Sequence, residues 1–414
     1  MWNKNFLIII FSQGVSLFAN NILYFALSLF VLDKTGSATI FGMITAISVI
    51  PTILFMPIGG VIADRINKRK VLVCSNFLIS IFVMIFSNLL NTHYMIFGVV
   101  ILLLILSIIE ILYTPCVNAA IPLIQQEKYL IKSNAVSNQI AFFSNIIGPV
   151  IGGILYGFFG INSIIFCSFF FFILSAFVNL LICIPEIILP KHEGNYLTVM
   201  IDDLKEAFMF LKTNKSVFKI ILASTVINFT IVPFVTLGLP YFINIKYDLT
   251  SEFYGFASAC LTISALLGGT LTVTIGDKIK SNHLYYMLIF MSVILFPSAI
   301  AMYLELSSTI YIFVICLMAE QFVSNIFTIC ENSYFQIITP NHLIGKIMSF
   351  IVTIAICGDP ISRIIYGPLL DLFYGKEYIL VLISTLVAMI LTMCSKKSFK
   401  LLDKIVNEGG NNYE

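Results

Sequence analysis

Charge is scarce in this sequence of 414 residues: Asp, Glu, Lys and Arg make up 11% of it, against 59% hydrophobic residues. A soluble protein of this composition could not bury its apolar surface, so a soluble globular fold is excluded. The formal net charge is only +2, and the longest basic block is Lys68–Lys70. A nucleic-acid partner is therefore not expected.

Motifs for metals, disulfides and nucleotides are also missing. The nine cysteines lie within or at the edges of apolar stretches, with no Cys-x-x-Cys pair, which excludes a disulfide framework and a cysteine metal site. All four histidines lie in polar breaks, and no Gly-rich phosphate loop occurs. No cluster of Asp, His or Cys suggests a membrane enzyme. We expect no cofactor, no metal and no enzymatic activity.

What the sequence has in abundance is apolar length. A bilayer core needs roughly 20 apolar residues as a helix, and this length recurs about twelve times. The predicted spans are Phe6–Leu32, Ala38–Ala63, Val71–Leu90, Met95–Leu123, Ala135–Phe158, Ile161–Ile184, Ile220–Ile245, Phe253–Ile275, Leu284–Leu304, Thr309–Ile338, Ile347–Phe373 and Tyr378–Cys394. The first is too long for a removable signal peptide.

The positions of lysine and arginine predict the orientation. With both termini inside, 19 of the 23 basic residues fall on the inner side, and only Lys34, Lys246 and Lys376 fall outside. Arg363 is the one basic residue within a span. Because cytoplasmic loops retain basic residues, we expect cytoplasmic termini.

The chain divides into two similar halves. We predict an N-terminal six-helix bundle (1–184), a central cytoplasmic loop with an amphipathic helix at Asp202–Lys212 (185–219), a C-terminal six-helix bundle (220–395) and a cytoplasmic tail (396–414). Ala63–Asn67 is matched by Gly276–Lys280, and Asn118–Lys132 by Asn332–Lys346. Parallel repeats of six helices are typical of one group of secondary transporters. The expected fold is an all-α polytopic membrane protein, working as a monomer.

The break after the second span carries a motif. Its residues are Gly59, Gly60, Asp64, Arg65, Lys68, Arg69 and Lys70, with an echo at Asp277. This stretch resembles the loop-two-three signature of the major facilitator superfamily, Gly-x-x-x-Asp-Arg-x-x-Arg-Arg/Lys. The resemblance implies a major facilitator fold in which Gly60, Asp64, Arg65, Arg69 and Asp277 form an inner gate. An ordinary positive-inside loop is the alternative.

A second motif lies in span five, at Gly148, Pro149, Gly152 and Gly153. It resembles the Gly-Pro-x-x-Gly-Gly signature associated with antiporters of this superfamily. Alternatively, these small residues only allow close helix packing and have no bearing on the direction of transport. Residues near the ends of spans one, four and ten are similar to the branch that holds macrolide-efflux proteins and bacterial siderophore exporters. They are Thr35–Ala38, then Pro115, Asn118, Ala119 and Pro122, then Gln336, Pro340, Gly345 and Lys346. Leu106 and Lys346 stand where members often carry arginine, so proton-coupling rules that depend on the span-four arginine are not carried over.

Charges within the spans are the candidate functional groups. Glu110, Glu320 and Glu331 have no visible base, whereas Asp359 and Arg363 are spaced to pair along one helix face. A charge at bilayer depth is costly, so the three glutamates should be protonated part of the time or meet a cation. Glu320 and Glu331 share a face, which predicts a cavity wall, although Glu331 could instead reach the inner interface. A purely structural ion pair remains the alternative for Asp359 and Arg363.

These features predict a bacterial cytoplasmic-membrane exporter of a small amphipathic compound, exchanged for protons. The alternatives are a lysophospholipid flippase or importer of the same fold, and a non-transporting immunity or scaffold protein. The last would have no reason to keep unpaired midspan acids.

Overall fold

Apolar helices dominate the structure. The computed structural model describes residues 3–90, 92–126, 129–185, 209, 212–339 and 344–401. Nearly all of these residues are helical, and none of them is in a β-strand. Ten stretches within the described residues are long and apolar enough to cross a membrane. The protein is therefore a multi-pass membrane protein, as predicted.

Six helices form the first half of the chain. They are α1 (Lys4–Thr35), α2 (Ala38–Arg65), α3 (Lys68–Leu89), α4 (Met95–Ile124), and α5 (130–159) and α6 (161–180), which share the helical segment Leu130–Leu180. Gly160 separates the last two, with φ of 70°, a conformation that favours glycine. The predicted gap between spans five and six includes this residue.

In the described part of the second half, the chain forms six further helices. They are α7 (Lys215–Thr230, extended by the π-helical turns Phe234–Gly238 and Tyr241–Lys246), α8 (Ser251–Ile275), α9 (Ser281–Val293 and Phe296–Tyr303), α10 (Thr309–Ile338), α11 (Ile344–Leu372) and α12 (Glu377–Cys394). Pro233 comes directly before the first π-helical turn and Pro240 directly before the second. Because proline has no N–H to donate, these residues explain the irregular end of α7.

Polar side chains set the ends of the first and third helices. The Asn3 side chain accepts a hydrogen bond from the backbone N–H of Phe6, and Gly36 ends α1 in the left-handed conformation. Asn67 caps α3 in the same way as Asn3 caps α1. These caps satisfy backbone groups that the helix itself leaves unpaired.

The helices pack into two compact units. The N-terminal unit comprises Met1–Gly36, Ile44–His192 and Ile243–Ala259, and the C-terminal unit comprises Ser37–Met43, Glu193–Phe242 and Cys260–Glu414. Each unit thus includes a short segment from the other half of the chain. The amphipathic helix predicted at Asp202–Lys212 lies outside the described residues, apart from Met209 and Lys212. The predicted domain bounds stay a prediction.

Candidate functional site

Glu110 lies midway along α4 in the N-terminal unit. The residue is exposed at the surface of this unit, and the Asn20 side chain from α1 lies beside its carboxyl. It forms no ion pair with the residues that the structure describes. An exposed carboxyl at mid-helix would be costly against lipid, so this face of α4 is suited to line a polar space.

Glu320 is the most deeply buried of the predicted carboxylates. Only 1% of the residue is exposed in the C-terminal unit. Its Oε2 accepts a hydrogen bond of 3.1 Å from Gln321, whereas Oε1 has no hydrogen-bond partner in the described part of the chain. Burying an isolated carboxylate in this way costs free energy, because the charge loses its hydration.

Glu331 is also buried and lies three turns after Glu320 on α10. Its Oε1 accepts a hydrogen bond of 2.6 Å from the Ser224 hydroxyl on α7. Thr328, on the predicted stripe between the two glutamates, is exposed and donates to the Ser324 carbonyl. Along this stripe, an exposed hydroxyl therefore lies between two buried carboxyls. Both carboxyls point to the interior of the C-terminal unit.

Asp359 and Arg363 pair along α11, as their spacing predicts. Arg363 Nε donates to Asp359 Oδ1 at 2.9 Å, and its Nη2 donates to Oδ2 at 2.8 Å. The arginine and aspartate side chains are 12% and 21% exposed. Two parallel charge-assisted hydrogen bonds hold the guanidinium and carboxylate groups in one plane. Pro360, which lies between the two residues in sequence, does not prevent the contact.

The predicted inner gate is described only in part. The backbone of Gly60, Asp64 and Arg65 belongs to α2, and Asp277 lies in the short turn Gly276–Lys278. The side chains of these gate residues lie outside the described part of the structure. Arg69 is exposed and its guanidinium donates to the backbone carbonyl of Leu180 at the end of α6. This contact links α3 and α6 of the N-terminal unit.

Glycines of the antiporter-like motif allow close helix contacts in the N-terminal unit. A Cβ on Gly148 would lie 2.6 Å from the Asn21 Cβ, and one on Gly152 would lie 3.2 Å from the Phe25 ring. A Cβ on Gly153 would lie 2.7 Å from the Ser251 carbonyl oxygen. Pro149, the remaining motif residue, presents its carbonyl to Gly255 of α8. The motif therefore packs α5 against both α1 and α8.

A matching crossing in the C-terminal unit lies between α2 and α11, at glycines that were not among the predicted site residues. A Cβ on Gly42 of α2 would lie 2.7 Å from the Arg363 carbonyl oxygen, and one on Gly367 of α11 would lie 2.8 Å from the Ala38 carbonyl oxygen. Near this contact, the Asp371 carboxylate accepts hydrogen bonds of 2.9 Å from the backbone N–H groups of Ala38 and Thr39. Asp371 thus caps the first turn of α2.

The two crossings are related by the internal repeat. Gly42 corresponds to Gly255 under the match of Ala63 with Gly276, and Gly153 corresponds to Gly367 under the match of Asn118 with Asn332. Aligned glycines in the two halves were the available signal for these contacts. Gly42, Gly255 and Gly367 were not among the predicted site residues, because a single sequence does not say at which positions two helices touch.

An apolar groove runs between α1 and α5 in the N-terminal unit. Its volume is about 540 Å³, and Phe11, Phe18 and Phe143 are among the residues that line it. Asn21 and Asn145 follow on the same two helices, where Asn21 Nδ2 donates to Asn145 Oδ1 at 2.9 Å. The groove therefore offers apolar contact with hydrogen-bonding amides nearby, a composition suited to a small amphipathic molecule.

Comparison with known proteins identifies the family. The family model of the Major Facilitator Superfamily matches residues 9–358. The chain belongs to this superfamily. Like other members, this major facilitator protein is a transporter that carries small molecules through a membrane, not an enzyme.

Several characterised or named proteins resemble this transporter. Macrolide efflux protein A of Streptococcus pyogenes is 26% identical over 402 residues, covering 95% of this chain and 96% of the relative. Macrolide efflux protein A of Enterococcus faecalis is 25% identical, with 79% of this chain and 99% of the relative covered. The staphyloferrin A transporter of Staphylococcus aureus is 23% identical, covering 83% and 84%.

Solved structures confirm the major facilitator fold. The nucleoside transporter NupG has a TM-score of 0.75 and 12% identity, covering 96% of this chain and all of that chain. A D-xylose–proton symporter has a TM-score of 0.69 and 12% identity, covering 93% and 96%. At such identities, the likeness of this transporter to both extends to the fold alone.

Proposed function

We propose that this protein exports a small amphipathic compound across the bacterial cytoplasmic membrane in exchange for protons. In this proposal both termini are cytoplasmic, consistent with the distribution of basic residues. The chain works as a monomer, and the substrate binds near the midplane during alternating access.

One observation carries the proton-coupling part of the proposal. Glu110 and Glu320 both lie mid-helix, and neither forms an ion pair with the residues that the structure describes. A lone carboxylate at this depth costs several kcal/mol unless a proton or a cationic group neutralises it. Two such groups, one in each unit, suit a transporter that takes up and releases protons.

The substrate class is supported by the groove beside α1 and α5. Its apolar lining and the nearby Asn21–Asn145 pair favour a compound with an apolar body and hydrogen-bonding groups. Two of the relatives are named macrolide efflux protein A, which supports a macrolide-like cargo. The name of a third relative supports a siderophore-like cargo.

The experiment is a susceptibility panel in a host that lacks its own efflux systems. Cells expressing this protein should tolerate more of one amphipathic antibiotic, with erythromycin as the first probe, and a protonophore should remove the protection. Glu110→Gln and Glu320→Gln test the coupling, because Gln keeps the shape and cannot titrate. Outward movement of labelled lysophospholipid, or inward movement of the probe, would contradict the proposal and favour the flippase or importer.

A further inference from the structure

A small cavity lies inside the N-terminal unit, next to Glu110. Its volume is about 20 Å³, and its polar lining consists of Ser16, Asn20, Glu110 and Tyr113. The remaining lining residues are apolar side chains from α1, α3, α4 and α6. A water molecule needs roughly 10–15 Å³ and two to four polar partners. The cavity is therefore of the right size and polarity for one water.

The Tyr113 hydroxyl is a second sign of a ligand at this place. Tyr113 is 5% exposed, and its hydroxyl has no hydrogen-bond partner in the described part of the structure. Ser16, Asn76, Ser175 and Asn179 lie around the hydroxyl, but none of them meets the distance and angle of a hydrogen bond to it. Burying a hydroxyl without a partner costs about 1–3 kcal/mol, so a ligand that bonds to it would be favoured.

The hydrogen bonds behind the cavity define what the ligand must offer. Ser16 Oγ donates its hydrogen to Asn76 Oδ1 at 2.7 Å, and Asn76 Nδ2 donates to the Leu72 carbonyl at 3.1 Å. Because the Ser16 hydrogen is already used, its oxygen can only accept on the cavity side. The ionised Glu110 carboxylate also accepts, whereas the Tyr113 hydroxyl is free to donate. Among Ser16, Glu110 and Tyr113, one group donates and two accept, which matches a water molecule that donates twice and accepts once.

We propose that this cavity binds one water molecule, which connects the Tyr113 hydroxyl and Ser16 to the Glu110 carboxylate. Tyr113 is then a positioning residue that sets the pH at which Glu110 exchanges its proton. The inference rests on the proposed function, in which Glu110 takes part in proton coupling. The water donates to the carboxylate, and this bond is stronger with the charged form than with the acid. Glu110 and Tyr113 are the titratable groups in the lining; the lining residues from α3 and α6, Ile79 and Phe172, are apolar.

The test is an infrared titration of the full-length protein in lipid nanodiscs, without substrate. The C=O stretch of protonated Glu110 is identified as the band that Glu110→Gln removes. In Tyr113→Phe the water loses its donor, the carboxylate is less well stabilised, and Glu110 should keep its proton to a pH about one unit higher. Tyr285→Phe is the matched control, because Tyr285 is equally buried at 5% but lies in the C-terminal unit; its midpoint should equal that of the native protein.

Each outcome is decisive. Tyr113→Phe removes a hydroxyl without a protein partner, so its melting temperature should stay within about 2 °C of the native value. An unchanged infrared midpoint in Tyr113→Phe, with or without a lower melting temperature, would overturn the water site. A native midpoint that moves when sodium replaces choline would also overturn it, in favour of a bound cation. Protonophore-insensitive efflux would refute the proposed function instead, while the Tyr113 shift could still be present.

Discussion

The ion pair in α11 permits a quantitative prediction. Asp359 and Arg363 share two hydrogen bonds of 2.9 and 2.8 Å and are mostly buried. Removing one partner of a buried pair typically costs about 3–5 kcal/mol, because the other charge is left without compensation. The exposure of 12% and 21% reduces this cost, and we expect about 2–3 kcal/mol for Asp359→Asn or Arg363→Gln.

The double variant should recover much of this loss, since it leaves no lone charge. We therefore expect a coupling energy of about 2 kcal/mol in the double-mutant cycle. Unfolding by SDS in mixed micelles gives the four stabilities, and efflux is measured on the same preparations. Lys376→Gln, an exposed residue, serves as the control for loss of a charge without loss of a pair.

The stability and transport results separate two roles of the pair. Recovered folding with reduced efflux in the double variant is the expected result if the pair serves both structure and substrate binding in the proposed transport. Full efflux would make the pair purely structural. If the single variants were as stable as the native protein, the reasoning would be refuted, because neither charge would then depend on its partner for stability.

Four further predictions concern the remaining features. Glu320→Gln should fold normally, because Gln keeps the shape of the side chain and adds no charge, and should lose the pH dependence of efflux; an unchanged pH profile in vesicles would contradict this. Asp64→Asn should slow turnover and change cysteine labelling on the outer face without lowering expression, and identical labelling would count against the gate. Gly42→Ala should disrupt the α2–α11 contact and reduce efflux at least tenfold, whereas Gly276→Ala, with 3.5 Å to its nearest neighbour, should be tolerated; equal activities would argue against the crossing. Asp371→Ala should cost about 1 kcal/mol through loss of the cap, measured by thermal unfolding beside Asp371→Asn, which keeps a capping oxygen.

Helix positions were predictable because the bilayer requires long apolar stretches with polar ends. The spans were placed within a few residues, and the gap at Gly160 was anticipated from hydropathy. The irregular end of α7 was not predicted, because Pro233 and Pro240 lie within an otherwise apolar stretch and their effect depends on neighbouring helices. Side-chain pairing within one helix was also predictable, since Asp359 and Arg363 are one turn apart.

Contacts between distant helices were harder to predict from a single sequence. Tyr113 has the pattern of any packing residue in an apolar helix, and nothing in the sequence indicates that its hydroxyl faces a cavity. Gly42 and Gly367 likewise appear as ordinary small residues until their neighbours are known. The predicted roles of Glu110, Glu320 and Glu331 remain predictions, although their burial and partners are now described.

The exchange of segments between the units has a mechanical consequence. The first turns of α2, Ser37–Met43, belong to one unit and the rest of that helix, from Ile44, to the other; α8 is divided in the same way between Ala259 and Cys260. A helix shared by two bodies cannot follow both of them rigidly. If the proposed alternating access moves the units, α2 and α8 must bend or release their first turns.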